Sequence, residues 1–319
     1  MAHSGGIGTC IRQIATRLNR PPFRVILLVH QTGEEWCKEI EQIAFHAPIY
    51  SSQEQLLFPF KIPRCDLFWS PHYNIPLLPI RAKKRVVTIH DLCHLTPYCH
   101  ASRFQKAAAH FLIKKALRLS HYVTTVSQFS KSEIHRFFGN SKITVIYNGV
   151  DQNRFKPEKL EITLPKKYVL FMGNDKPHKN RSGILQAFSD STFKGIELIQ
   201  GNDRIPDEWL PTLYSSAECL VFPSFYEGFG LPPLEAMSCG CPTIVSSAAC
   251  MPEICGDASL YIDPNNVSKI RDTLLNFLSN QTMKQKLITK GFTRVQNYCW
   301  DISSVSYAKL FQKVITLNM

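Results

Sequence analysis

The sequence predicts two doubly wound α/β domains of similar size. Three observations lead there: short runs rich in β-branched and aromatic residues recur along the chain, helical patterns lie between them, and residues 152–167 carry neither period. A chain of 319 residues that is 44% hydrophobic has enough apolar material for two ordinary cores, so the length agrees with the division.

In chain order, the first half reads as strands at residues 25–30, 66–70, 86–89, 122–126 and 143–147. Between the third and fourth, Arg103, Lys106, His110, Lys114 and Arg118 fall on one stripe of a helix. Phe104, Ala108, Phe111, Leu112 and Leu119 fall on its other side, the apolar face expected against the core. Residues 152–167, with Pro157, Pro165 and mixed charge, have the composition of a linker. The second half offers strands at 168–173, 196–200, 218–223, 242–246 and 260–263, and the last helical stretch, from Trp300, is spaced for packing. The expected units are residues 1–155, residues 165–299 and a closing helix at 300–319.

No run approaches the roughly 20 apolar residues that cross a bilayer, and no signal-like segment leads the chain. The eleven cysteines are dilute, odd in number and mostly in apolar runs, as at Cys93 and Cys219. A reducing cytoplasm is therefore expected rather than a disulfide scaffold. Cys93-His94 and Cys99-His100 match no common zinc spacing, so no metal is expected.

The net charge of +12 is uneven: residues 81–142 hold twelve Lys or Arg against Asp91 and Glu133, a surplus of ten. A solvated helix face accounts for this as readily as a positive field that meets an anionic membrane surface or a phosphorylated acceptor. Nucleic acid is not expected as a partner, because the basic residues are not interleaved with aromatics in the manner of a stacking groove.

In parallel sheets ligands bind beyond the carboxyl ends of the strands, so motifs there matter most. After the apolar run Cys219–Phe222 come Pro223-Ser224-Phe225-Tyr226-Glu227-Gly228-Phe229-Gly230-Leu231, then Pro232-Pro233 and Leu234-Glu235-Ala236-Met237. Proline is tolerated in a first helical turn, so this reads as strand, glycine loop, helix N-terminus. Glycines let backbone approach an anion, and the free N–H groups of the helix start favour a phosphate. A tight turn before a core helix would explain the glycines alone. Glu227 and Glu235, eight positions apart, tip the reading, because carboxylates accept several hydrogen bonds from polyols.

Glu227, seven intervening residues and Glu235, within EGFGLPPLEAM, resemble the signature of the retaining glycosyltransferases of family four, in particular their bacterial mannosyltransferase-like group. Thr88-Ile89-His90-Asp91-Leu92, Val126-Ser127-Gln128-Phe129-Ser130-Lys131, Ile146-Tyr147-Asn148-Gly149-Val150-Asp151, Lys179-Asn180 and Met251-Pro252-Glu253-Ile254 follow in the family's order and cover most of the chain. The resemblance implies a GT-B fold, two Rossmann-like domains facing across a cleft, with the nucleotide sugar held by the C-terminal one.

It further implies that Glu235 binds the ribose, that Glu227 contacts sugar hydroxyls, and that the backbone of Gly228, Phe229, Gly230 and Leu231 approaches sugar and diphosphate. Lys179 would neutralise the leaving group, His90 would lie near the transferred sugar, and Gly6, in the run Gly5-Gly6-Ile7-Gly8, would belong to a glycine turn facing the diphosphate. His90, Glu227 and Lys179 are thus the expected catalytic set, with no cofactor and no metal.

The implied reaction moves a mannose-like hexose, with retention, from a nucleotide-sugar donor to a glycan or lipid-linked acceptor in surface polysaccharide synthesis. The expected place is the cytoplasm, peripheral to the inner face of the membrane. Three features depart from the family pattern. Only Met1 to Ser4 precede Gly5 where a first strand is usual, about eight residues follow Gln200 where a further helix and strand are usual, and Lys176 stands where many members carry arginine. They keep open a degenerate member that binds a nucleotide or glycan without catalysis.

Overall fold

Short β-rich runs separated by amphipathic segments fold as alternating layers, because each strand buries both faces only when helices cover the sheet on both sides. The computed structural model describes residues 5–316 other than 160, 190 and 202–204. Met1 to Ser4 and the last three residues of the predicted closing helix lie outside the described residues.

The first half runs α1 (Gly5–Leu18), β1 (Ile26–Val29), β2 (Glu41–Ala44), α2 (Ser52–Lys61), β3 (Cys65–Ser70), β4 (Ala82–Ile89), α3 (Arg103–Leu119), β5 (Tyr122–Thr125), α4 (Gln128–Phe138) and β6 (Ile143–Val145). The second runs β7 (Tyr168–Met172), α5 (Arg181–Phe188), β8 (Glu197–Gly201), α6 (Leu210–Ser216), β9 (Cys219–Phe222), α7 (Leu231–Ser238), β10 (Thr243–Ser246), α8 (Met251–Cys255), β11 (Ser259–Ile262), α9 (Val267–Leu278), α10 (Gln281–Val295) and α11 (Trp300–Thr316). Strands β3, β4, β5 and β6 pair in that order, β1 and β2 form a separate pair, and the second sheet is ordered β11-β10-β9-β7-β8. Every pairing is parallel.

Alternation along β4 sorts the first core. Val86 joins Cys10 and Ile14 of α1 with Tyr307 and Phe311 of α11, while Val87 joins Ile113 of α3 and Ile134 of α4. The closing helix α11 therefore packs on the N-terminal half. The chain crosses between the halves twice, and the two crossings are bonded: Val150 N donates to Tyr298 O at 2.9 Å, and Val150 bridges Cys299. The result is two Rossmann-like domains facing each other, the GT-B arrangement.

Two sequence expectations change here. Strand β2 was not expected, since Glu41-Gln42-Ile43-Ala44 alternates weakly; its parallel register with β1 makes it a strand. On α3 the buried residues are Ala109, Ile113 and Ala116, whereas Phe104 is 88% exposed and Phe111 50% exposed. Two alanines let the helix backbone come close to the sheet, and this phase turns the bulky aromatics outward rather than inward. A capping box fixes where α3 begins: Ser102 Oγ accepts from Gln105 N, and Gln105 Oε1 accepts from Ser102 N.

All eleven cysteines are free thiols. Among the described residues no helix is long and apolar enough to cross a membrane.

Candidate active site

Strand β9 delivers the chain to the loop 223–230, and α7 opens with Pro232 and Pro233 in its first turn, where their missing N–H groups cost nothing. Gly230 at the N-cap has φ +86°, and a Cβ there would lie 2.3 Å from Met251 Cε. A Cβ on Gly228 would lie 2.4 Å from the carbonyl oxygen of His90 in the other domain. The loop is pressed between α8 on one side and the His90 loop on the other; backbone leaves no room for a Cβ at Gly228, and the positive φ calls for glycine at Gly230. Phe229 is buried beside Tyr147 and Tyr298, so it offers a ligand its backbone alone.

The N-terminus of α1 arrives at the same place, since a Cβ on Gly6 would meet Leu231 Cδ1 at 3.6 Å. The Gly5-Gly6-Ile7-Gly8 run is the first turn of α1, not a turn ahead of a helix. Only Gly5, at φ +47°, keeps a turn-like conformation. Two helix N-termini with no acidic residue in their first turns thus converge beside Leu231, an arrangement suited to an anion.

Lys179 closes a single 3₁₀ turn, Pro177–Lys179, after β7. The next residue, Asn180, is buried in the left-handed region at φ +57°, and its Nδ2 donates to Pro223 O and Pro264 O. That bracket ties the Lys179 turn to the start of the glycine loop. Lys179 Nζ donates to Glu227 Oε1 at 2.7 Å and lies 5.4 Å from the ring centroid of Phe222. Two residues expected to touch different parts of the donor are therefore partners of each other here. Ser224 Oγ, buried in the same loop, has no hydrogen-bond partner among the described residues.

Glu235 is half-buried on α7, and Tyr214 Oη of α6 donates to its Oε2 at 2.9 Å. Burial pushes its carboxyl up to about 7, against the opposing pull of the Tyr214 hydrogen bond and the Arg154 charge. Lys176, weighed as a substitute for the family arginine, is exposed.

His90 follows β4 directly and is buried; its Nε2 donates to Pro71 O at 3.0 Å. Burial lowers its pKa, so the ring is a neutral imidazole with Nδ1 as acceptor, not a fixed cation. Asp91 accepts from Cys93 N and acts as a loop brace. Beside His90 lies a cluster that sequence reasoning missed. His72, buried with its pKa lowered to about 3 chiefly by desolvation, accepts from Asn74 N and lies 3.3 Å from Tyr50 Oη. Tyr73 packs against His72, and Tyr50 sits at φ +65°. The available signal was the position of His72-Tyr73-Asn74 just past the carboxyl end of β3. Among the described residues no three or more His, Cys, Asp or Glu gather as a metal site.

Residues 4–154 match the family model described as Glycosyltransferase Family 4, and residues 202–294 match the one described as Glycosyl transferases group 1. The O-antigen chain mannosyltransferase B of Escherichia coli is 32% identical over 266 residues, covering 70% of this chain and 69% of its own length. The O-antigen chain mannosyltransferase RfbU of Salmonella typhimurium is 29% identical over 255 residues, 72% of this chain and 69% of its own. Among solved structures, a sucrose-phosphate synthase from Thermosynechococcus elongatus shares the fold with a TM-score of 0.80, covering 99% of this chain and 95% of its own at 17% identity. Since motif order, fold and relatives agree over both halves, the chain belongs to glycosyltransferase family 4 as an enzyme that transfers a hexosyl group.

Proposed function

We propose that the enzyme moves a mannosyl or closely related hexosyl group from a nucleoside diphosphate sugar to a glycan or lipid-linked acceptor, with retention and without a metal, during surface polysaccharide synthesis. The mannose assignment follows the O-antigen mannosyltransferases that resemble the chain. The observation that carries the site is the convergence of the Lys179–Glu227 pair, the N-termini of α1 and α7, and His90 from the facing domain on the loop 227–231.

The chemistry follows from that placement. Glu235 accepts from the ribose, and the helix N-termini hold the diphosphate. On donor binding Lys179 turns from Glu227 to the phosphates, which frees Glu227 to accept from sugar hydroxyls. The acceptor hydroxyl attacks the anomeric carbon on the face the diphosphate leaves. The carbon–oxygen bond to the diphosphate breaks as the new glycosidic bond forms, and the departing phosphate oxygen takes the acceptor proton. No side chain is a nucleophile; rate comes from orientation and from cationic stabilisation of the leaving group. Neutral His90 accepts a hydrogen bond at the transferred sugar.

The membrane reading gains support from α3. Its exposed Phe104 and Phe111 stand among Arg103, Lys106, Lys114 and Lys115, the mix of apolar and cationic groups that suits an anionic lipid surface.

The test is incubation with a panel of nucleotide sugars and lipid-linked saccharide acceptors, with the product anomer assigned by NMR. Transfer from one nucleoside diphosphate hexose with retained configuration is expected. Nucleotide binding without transfer across the whole panel would replace this reading with that of a binding-only family member.

A further inference from the structure

The first turn of α4 is where the two domains are tied. An α-helix begins with four backbone N–H groups that need acceptors from outside its own ladder. In α4 the ladder starts where Lys131 N donates to Ser127 O at 3.1 Å, and of the N–H groups ahead of it Ser130 N is held by Ser127 Oγ at 3.0 Å. Two more find their acceptor in the other domain: Gln128 N donates to Glu253 Oε1 at 2.7 Å and Phe129 N to Glu253 Oε2 at 2.9 Å. A carboxylate at the positive end of a helix, with each oxygen on its own N–H, is a charge-assisted fork. Its base is fixed, because Arg294 Nη2 and Tyr298 Oη both donate to Glu253 O.

The same turn holds the reacting loops. Ser127 Oγ donates to Gly228 O at 2.6 Å, and Ser130 Oγ donates to His90 O at 2.9 Å. One helical turn thus touches the donor loop, the His90 loop and Glu253.

We propose that Glu253 is a positioning residue of the transfer reaction: its carboxylate clasps the first turn of α4 across the domain boundary and so fixes the His90 loop against the Gly228 donor loop. The inference rests on the reading above, in which the C-terminal domain holds the donor and the N-terminal domain faces the acceptor. Most of the donor contacts assigned above lie in the C-terminal domain, with only the N-terminus of α1 added from the other, whereas transfer needs both loops in register, and misplacement by about 1 Å can cost roughly a hundredfold in rate. Losing the clasp should therefore lower turnover and leave nucleotide affinity nearly intact.

The experiment compares the full chain with Glu253→Ala, Glu253→Gln and Gln128→Pro. The last removes one donor of the fork while keeping a residue favoured at the first helical position, and Ser127 before it is extended at φ −157°, as a residue preceding proline should be. Turnover per folded molecule, affinity for a nucleoside diphosphate by calorimetry, and the radius of gyration by small-angle scattering are measured for each. Glu253→Ala should lower kcat about tenfold or more, shift nucleotide affinity by less than about threefold and enlarge the radius, with Glu253→Gln intermediate. Combined with Gln128→Pro it should add little further loss, because both variants open one fork. An unchanged kcat, nucleotide affinity falling in step with kcat, or an unchanged radius each overturns the proposal. If the wild type transfers no sugar at all, the reaction assigned above fails, while radius and nucleotide affinity still decide whether Glu253 holds the domains.

Discussion

Glu235 offers a test of the ribose contact at the scale of one carboxyl group. Burial raises its pKa to about 7, so near neutrality much of it is protonated and a weaker acceptor. Affinity for a nucleoside diphosphate should rise as pH increases from about 6 to about 8, and titration calorimetry should find a smaller rise in Glu235→Gln, where only the ligand's terminal phosphate, with a pKa of about 6, still titrates. The folded state also keeps a proton that the unfolded chain releases between 4.5 and about 7, so the wild type should lose stability relative to Glu235→Gln as pH rises through that window. Lys179→Ala removes the cation proposed to meet the leaving group and strands the Glu227 carboxylate that it pairs with at 2.7 Å. Initial rates should give a kcat lower by about a hundredfold, the size of effect seen when one preorganised charge-stabilising donor is deleted. The spacing of Glu227 and Glu235 was legible in the sequence because both sit in one strand-loop-helix segment. Neither the Lys179–Glu227 pair nor the fork of Glu253 on α4 was legible, since each joins residues dozens of positions apart through loop closures that no local pattern encodes.

The element that depends most on its backbone is α7. Gly230 holds φ +86° at the N-cap with Met251 packed where a side chain would begin, so Gly230→Ala meets both strain and overlap. Urea unfolding should show a loss of about 1–3 kcal/mol. Nucleotide affinity should fall with it, because the displaced residues are the ones proposed to face the phosphates. That strand, glycine loop and proline-led helix were readable in order, as were most of the parallel strands, since a short β-branched run buried on both faces has few other ways to fold. Strand β2 was not, because Glu41-Gln42-Ile43-Ala44 has only two apolar residues and becomes a strand by pairing with β1. The phase of α3 was missed for a different reason. Its apolar residues are spread around much of the helix, and the sheet selects Ala109, Ile113 and Ala116, a choice made by close approach rather than by hydrophobicity.

Across the whole molecule, apolar exposure and positive charge are concentrated in one stretch of the chain. Among the described residues, nine of thirteen exposed large hydrophobic side chains lie between residues 49 and 119, the segment that carries α2 and α3. The two helices cover the same face of the first sheet: Phe58 of α2 packs with Phe68, and Ile113 of α3 with Val87, and strand register puts Phe68 and Val87 on one side. Phe60 on α2, 78% exposed, is followed by Lys61, and the exposed Phe104 and Phe111 on α3 stand among Arg103, Lys106 and Lys114. Phenylalanine among basic residues would also suit a nucleic acid, but Leu56, Leu78 and Leu119, exposed in the same segment, cannot stack on bases, whereas all of these side chains can enter the acyl boundary. The protein should sediment with vesicles containing phosphatidylglycerol and not with pure phosphatidylcholine. Binding should weaken as salt rises from about 0.05 M to about 0.5 M, because exposed charges are screened over shorter distances. Replacing Phe60, Phe104 and Phe111 together with serine should weaken sedimentation about tenfold or more, while Ile302→Ser, an exposed apolar change on α11, should leave it unaltered. Equal binding to neutral vesicles would remove charge from the account. Unaltered binding by the triple variant, or preference for oligonucleotides over vesicles, would remove the membrane from it and leave this face to a phosphorylated acceptor or another anionic partner.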